Sequence, residues 1–142
     1  MLSRRSALFA ATFAASLAAI SAAAPTSGIF VTSALATETK PFTADAFAAA
    51  QKAGKPIFVA IHASWCPVCA KQRPILSELM GEPKFKNLVY FVVDFDGQKD
   101  VVNSFGARMQ STLIAFKGEH ETGRSVGDTD QASIAALLNK TL

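Results

Sequence analysis

This 142-residue sequence lacks the sequence features that identify several common protein classes. It has no internal repeat, and no low-complexity segment apart from an alanine-rich N-terminal leader. No stripe of lysine and arginine alternates with aromatic residues, so nothing indicates nucleic-acid binding. The chain has only two cysteines, and neither lies in the leader, which excludes a lipid attachment site there. Any thiol chemistry in this chain therefore depends on one pair of residues.

The first 36 residues have the layout of a secretory signal peptide. A short basic head containing Arg4 and Arg5 precedes an uncharged, alanine-rich run over residues 6–29, and residues 34–36 form an A-x-A cleavage pattern. An uncleaved membrane anchor is the alternative, because the uncharged run is long enough to span a bilayer. Alanine is only weakly apolar, however, and the cleavage pattern favours removal of the leader.

Cleavage near Ala36 would leave a domain of roughly 106 residues, numbered 37–142, which is an ordinary domain size. Because the cut removes Arg4 and Arg5, the net charge falls from +3 to about +1, and the basic balance belongs to the leader. Ser3-Arg4-Arg5 also resembles a twin-arginine export signal, with the general export route as the alternative. We expect a periplasmic protein. Thiols in that oxidising compartment are structural disulfides or redox catalysts.

Helix-like and strand-like patterns alternate along residues 37–142. Four segments have helical patterns: about residues 43–53, the stretch from the cysteines to about residue 80, 98–105, and 128 onward. Four segments have strand patterns: residues 56–61, 88–94, 112–116 and 124–126. The alternating first half predicts parallel strands joined by helical crossovers, and the hairpin after it predicts antiparallel strands. We therefore predict an α/β fold with a mixed sheet of about four strands, helices on both faces, and an extra N-terminal helix.

Both cysteines lie in one turn, Trp65-Cys66-Pro67-Val68-Cys69, between the first predicted strand and a helix. The free N–H groups and the positive dipole end of a helix stabilise a thiolate. Cys66 is the favoured nucleophile, and Cys69 is the partner that closes the ring. Pro67 suits the first helical turn, which needs no N–H donor. Because Val68 adds no polar stabilisation, we expect a pKa of Cys66 below that of a free thiol but not extremely low.

The cysteine pair has three possible uses. As a structural disulfide it would stabilise little, because a two-residue spacer closes a very small loop. Redox exchange is the favoured use. The two thiolates also make half of a tetrahedral zinc or copper site, which His62, His120 or a second molecule would have to complete. The acidic residues Asp94, Asp96 and Asp100 fit a solvated strand end better than a cation site.

With these features in order, the chain resembles the thioredoxin family over about residues 41–142. The resemblance rests on Trp65 before the Cys-x-x-Cys, on Pro74 five residues beyond Cys69, and on the Lys117-Gly118 that follows the third predicted strand. It implies a thioredoxin-like fold and a thiol–disulfide oxidoreductase with protein substrates. It implies no cofactor beyond the redox-active disulfide.

Three positions depart from the family's pattern. Ser111 stands where thioredoxin-like proteins usually carry a cis-proline facing the two sulfurs, so we expect a loop of different shape there. Ala60 and Val92 stand where many thioredoxins bury an aspartate and its lysine partner. The usual proton acceptor for Cys69 is therefore missing, and His62 is a candidate for that role.

The sequence thus predicts a periplasmic thiol–disulfide oxidoreductase that acts through Cys66 and Cys69. Ser111 and Thr112 are expected to line the substrate groove, and Trp65 either flanks the reactive sulfur or packs partly buried. Expected partners are protein thiols and disulfides, with a membrane electron donor or acceptor, and we expect a monomer without a metal. The alternatives are a copper- or zinc-binding module on the same fold and an enzymatically silent interaction domain. The direction of electron flow is not encoded.

Overall fold

The computed structural model describes residues 37–142, so the predicted leader lies outside the described residues. The strands are β1 (Glu38–Pro41), β2 (Pro56–His62), β3 (Val89–Asp94), β4 (Thr112–Lys117) and β5 (His120–Val126). The helices are α1 (Ala44–Lys52), α2 (Pro67–Met80), α3 (Lys99–Ser104) and α4 (Gln131–Asn139), with a short 3-10 turn at Pro83–Phe85. Within this part of the chain, no helix is long and apolar enough to cross a bilayer.

The five strands form one mixed sheet in the order β1-β3-β2-β4-β5. Strand β3 runs parallel to both β1 and β2, whereas β4 runs antiparallel to β2 and β5. The predicted α/β class and mixed sheet are confirmed. The central strand β2 is buried along most of its length, as expected for an apolar strand covered on both faces.

Strand β1 was not predicted, so the sheet has five strands rather than about four. Its four residues are mostly polar and offer no alternating pattern, and a proline is rare inside a strand. The strand is positioned by contacts distant in sequence: it pairs with β3 from Glu38↔Val89 to Pro41↔Val92. A proline is tolerated there because β1 is an edge strand.

The helix starts follow local capping chemistry. Thr43, at the start of the helix predicted over about residues 43–53, caps α1, with its Oγ1 accepting the Ala46 N–H at 3.3 Å. The predicted start of the last helix at Asp128 was wrong by a few residues. The N-cap of α4 is Asp130, whose Oδ1 accepts the Ser133 N–H at 2.8 Å, while Asp128 accepts the Asp130 N–H. Two aspartates two residues apart compete for one cap, and the sequence alone does not rank them.

Each face of the sheet has its own core. Helices α1 and α3 cover one face, here called the phenylalanine face, whose rings are Phe42, Phe47, Phe91, Phe105 and Phe116. Helices α2 and α4 cover the other, here called the cysteine face, because α2 carries both cysteines at or beside its N-terminus. The cysteines form a small third cluster with Ala63, Val68 and Phe95 at the end of the sheet.

Candidate active site

Cys66 is the N-cap residue of α2, and its sulfur accepts the backbone N–H of Cys69 at 3.1 Å. A cysteine in this position uses its own sulfur to satisfy one of the free N–H groups of the first helical turn. Both cysteines are free thiols in this structure, with exposed fractions of 3% for Cys66 and 2% for Cys69. Cys66 nonetheless lies nearer the protein surface than Cys69 does.

The two thiols are shifted in opposite directions. Burial raises the pKa of Cys66, but hydrogen bonds from the Cys69 thiol, from the backbone of Cys69 and Val68, and from the Ser111 hydroxyl outweigh it, so the net pKa is lowered. Burial raises the pKa of Cys69, and the hydrogen bond it gives to Cys66 raises it further. The predicted direction for Cys66 is confirmed. The attacking cysteine must be a thiolate, whereas the cysteine that reacts second can keep its proton until then.

The residues beside Cys66 differ in their exposure. Trp65 is 60% exposed, and its indole Nε1–H donates to Asp96 Oδ2 at 2.7 Å. The tryptophan therefore flanks the site at the surface and is not a core residue. Pro67 occupies the first helical turn, and Val68 packs half-buried against the two cysteines.

Ser111 lies opposite the cysteines with its backbone in the left-handed region, at a φ of 58°. A proline ring fixes φ near −65°, so no proline could adopt this backbone. The Ser111 N–H donates to the Ile61 carbonyl at 2.8 Å, a bond that proline would also remove. The loop therefore has its own conformation and is not the family's usual loop with one side chain exchanged.

Thr112 begins β4 and is 1% exposed. Its hydroxyl donates to the Met109 carbonyl at 2.7 Å, which closes the turn that contains Ser111. Around this turn lie two strongly exposed apolar side chains, Met109 at 55% and Val126 at 52%, and Val126 is the sheet partner of Thr112. With Trp65, which precedes Cys66 directly, these exposed apolar side chains are here called the apolar rim.

In the sheet register, Ala60 on β2 and Val92 on β3 are direct partners, at the positions where many thioredoxins have an aspartate and a lysine. His62 follows Ala60 on the same side of β2, since side chains two residues apart share a face. It is half-buried, and burial followed by the charge of Arg73 lowers its pKa, whereas Asp94 opposes that shift. A cleft of about 400 Å³ between α2 and the β1–β3 edge is lined by His62, Arg73 and others.

Two residues that sequence reasoning missed lie close to the cysteines. Burial, with the nearby Cys69 charge as a smaller cause, raises the pKa of Tyr90 to about 12. Gln72 is 3% exposed and donates two hydrogen bonds from α2. A sequence signal existed for Gln72, because positions 72, 76 and 79 follow the helical spacing of the buried Leu76 and Leu79.

Metal ligands are scarce around the cysteines. Among residues 37–142, no group of three or more histidine, cysteine, aspartate or glutamate side chains is arranged to hold a metal ion. The third and fourth ligands of a tetrahedral site would have to come from outside the described residues or from a second molecule.

Comparison with known proteins agrees with this geometry. The Thioredoxin family model matches residues 38–140. The chain belongs to the thioredoxin family. An H-type thioredoxin of Brassica campestris is 33% identical over 90 residues, which covers 63% of this chain and 72% of that protein. A thioredoxin of Chlamydia muridarum is 32% identical over 84 residues, covering 59% of this chain and 80% of the relative.

Solved structures give the same result. Trxlp of Edwardsiella tarda is similar with a TM-score of 0.69 and 37% identity, covering 71% of this chain and 98% of that one. A thioredoxin of Malassezia sympodialis shares the fold with a TM-score of 0.66 at 21% identity, covering 74% of this chain and 91% of its own. This thioredoxin-family protein is a thiol–disulfide oxidoreductase that acts on protein disulfides.

Proposed function

We propose that this thioredoxin-family enzyme works in the periplasm, with Cys66 as the attacking thiolate and Cys69 as the resolving thiol. The observation that carries the assignment is the unequal environment of the two sulfurs. Cys66 caps α2, receives the Cys69 N–H at 3.1 Å and has a lowered pKa, whereas the pKa of the deeper Cys69 is raised. The thiolate is the reactive form in exchange, so Cys66 attacks first.

In the first step the Cys66 thiolate attacks one sulfur of a substrate disulfide. A new S–S bond joins Cys66 to the substrate, the substrate's own S–S bond breaks, and the departing sulfur leaves as a thiolate that takes up a proton. In the second step Cys69 loses its proton and its sulfur attacks the Cys66 sulfur. The mixed disulfide breaks, the second substrate thiol leaves, and the Cys66–Cys69 disulfide forms. Two electrons pass to the substrate, and the reverse sequence oxidises a substrate dithiol.

The proton of Cys69 needs an acceptor other than the carboxylate that many thioredoxins use. Ala60 offers none, and His62 follows it on the same side of β2. The lowered pKa of His62 keeps its imidazole neutral and able to accept a proton near neutral pH. We assign His62 this role, with water from the adjacent cleft as the relay.

The substrate contact is proposed to be the apolar rim formed by Trp65, Met109 and Val126, which are each more than half exposed. Exposed apolar side chains around a buried reactive group indicate a protein-binding surface. An extended substrate segment would lie along the turn at Ser111. Thr112 supports that turn from below through its bond to the Met109 carbonyl.

Several features of the proposal come from the leader and the family pattern. Residues 1–36 are proposed to direct export and to be removed near Ala36. The enzyme is proposed to act as a monomer with no cofactor beyond its own disulfide, and to exchange electrons with a membrane donor or acceptor. A reduction potential of about −270 mV would make it a reductase, and one of about −120 mV an oxidase.

The test is reduction of insulin disulfides, with a small dithiol as the electron source. The full chain is expressed, and the mature protein is recovered from the periplasmic fraction, where its mass reports the cleavage site. We expect Cys66→Ser to abolish turnover, because the remaining Cys69 is buried and its raised pKa keeps it protonated. We expect Cys69→Ser to accumulate a covalent mixed disulfide with the substrate, since the second step is blocked.

The matched control is Glu78→Gln on the same helix, on an exposed residue more than two turns beyond Cys69 that does not line the cleft beside His62. It should turn over insulin at the parent rate. A Cys66→Ser protein that keeps the parent rate would contradict the assignment. A copper or zinc ion that stays bound through purification and is lost in Cys66→Ser would favour the metal-binding alternative.

A further inference from the structure

Gln72 joins two loops that converge on the reactive cysteine. It lies on α2 three residues beyond Cys69 and is 3% exposed. Its Nε2 donates to the Ser111 carbonyl at 3.2 Å and to the Asp128 carbonyl at 2.8 Å, so both amide protons are used. A buried amide with both donors satisfied fixes the segments that it contacts.

Ser111 needs such fixing because its backbone is unfavourable. A φ of 58° is rare for a residue with a side chain and costs free energy that its surroundings must supply. Three hydrogen bonds hold the residue. Its N–H donates to the Ile61 carbonyl at 2.8 Å, and its carbonyl accepts from the Gly127 N–H at 3.0 Å and from Gln72. Of these three bonds, the one from Gln72 comes from α2, the helix that carries the cysteines.

The Ser111 hydroxyl has one proton and two acceptors. In this structure Oγ donates to the Gln110 carbonyl at 2.5 Å. A hydrogen bond from the same hydroxyl to Cys66 is one of the causes that lower the pKa of the cysteine. Once Cys66 is ionised, the bond to sulfur is strengthened, because a charged acceptor binds a donor more strongly than a carbonyl does. The orientation of Ser111 therefore decides how well this proton reaches the thiolate.

We propose that Gln72 is a positioning residue for disulfide exchange: by holding the Ser111 carbonyl, it fixes the Ser111 backbone so that the hydroxyl can turn its proton from the Gln110 carbonyl to the Cys66 thiolate. The family's usual proline fixes the backbone opposite the sulfurs. In this protein the hydrogen bond from Gln72 fixes it instead. The inference rests on the proposed function of Cys66 as the nucleophile.

The experiment measures the pH dependence of Cys66 alkylation in a Cys69→Ser background, where one thiol reacts. Gln72→Met keeps the side-chain length and removes both donors. We expect the thiolate fraction near neutral pH to fall by about three- to tenfold, which corresponds to an upward pKa shift of about half a unit to one unit. Ser111→Ala should shift the profile in the same direction.

The double variant separates positioning from a general structural effect. If Gln72 acts through Ser111, then Gln72→Met should change the profile little once the hydroxyl is gone, and the two effects will not add. The matched control is Gln131→Met at the exposed start of α4, which should leave the profile unchanged. Gln72→Asn is the second variant if the methionine protein does not fold, since its shorter amide cannot reach both carbonyls.

Two results would overturn the inference. One is an equal shift from Gln72→Met with and without the Ser111 hydroxyl. The other is a lower melting temperature with an unchanged alkylation profile, which would make Gln72 a packing residue only. Alkylation does not require turnover, so these outcomes are separate from the insulin test, whose failure would concern the proposed function itself.

Discussion

On the phenylalanine face, five rings pack mostly edge to face, with centroid separations from 5.4 to 6.0 Å. On the cysteine face, the sheet contributes the small Ala60 and Ala115, and polar groups such as Tyr90 and Gln72 enter the buried layer. The first arrangement maximises apolar contact and holds the fold together. The second gives up some contact to bury the Gln72 amide and to leave a cleft lined by His62 and Arg73.

The largest expected effect is on the phenylalanine face. Phe91 is fully buried and contacts Phe42 and Phe47. Phe91→Ala should lower the free energy of unfolding by about 3–5 kcal/mol, because it leaves a cavity among the rings. Urea denaturation measures this loss. Phe91→Leu, the control, fills most of the space and should cost roughly 1 kcal/mol.

The alkylation rate of Cys66 tests whether the two faces of the sheet are independent of each other. In the fraction of Phe91→Ala that remains folded, this rate should match that of the parent. A changed rate would mean that the two faces are coupled.

A smaller effect on stability is expected when Ser111 is replaced by the proline that the family usually carries at this position. Ser111→Pro should cost roughly 2–4 kcal/mol of stability, because proline cannot adopt a φ of 58° and cannot donate to the Ile61 carbonyl. Thermal and urea unfolding measure it. Ser111→Gly is the matched control, since glycine accepts this φ and keeps the N–H, and it should be at least as stable as the parent. If Ser111→Pro proved as stable as the parent, the loop described above would be wrong.

The smallest effect is a pH dependence on the cysteine face. Burial and Arg73 lower the pKa of His62 below 6.5, while Asp94 opposes them. The unfolded chain therefore binds this proton more readily than the folded one. Stability due to His62 should be complete above pH 6.5 and should decline as the pH falls below 6.5 through the folded pKa.

Urea midpoints measured across this range test the expected slope. His62→Gln should flatten it, and His120→Gln, at an exposed position on β5, should not. A slope that is the same in all three proteins would exclude His62 as its source.

Much of the fold was predictable because its signals are local. Apolar runs located β2, β3 and β4, and caps such as Thr43 located helix starts within a few residues. The turn that holds Cys66 and Cys69 was predictable for the same reason, since a strand, a proline and a helix follow one another directly. Strand β1 was not, because its four mostly polar residues become a strand only by pairing with β3.

The sequence by itself determined the α/β class, the reactive turn and the absence of the usual aspartate and proline at Ala60 and Ser111. Only the tertiary structure decided what takes their place. A left-handed Ser111 and the buried amide of Gln72 depend on contacts across 39 residues of chain. Local periodicity records which face a residue lies on, but the partner of a buried polar group is chosen by segments that meet only when the chain is folded.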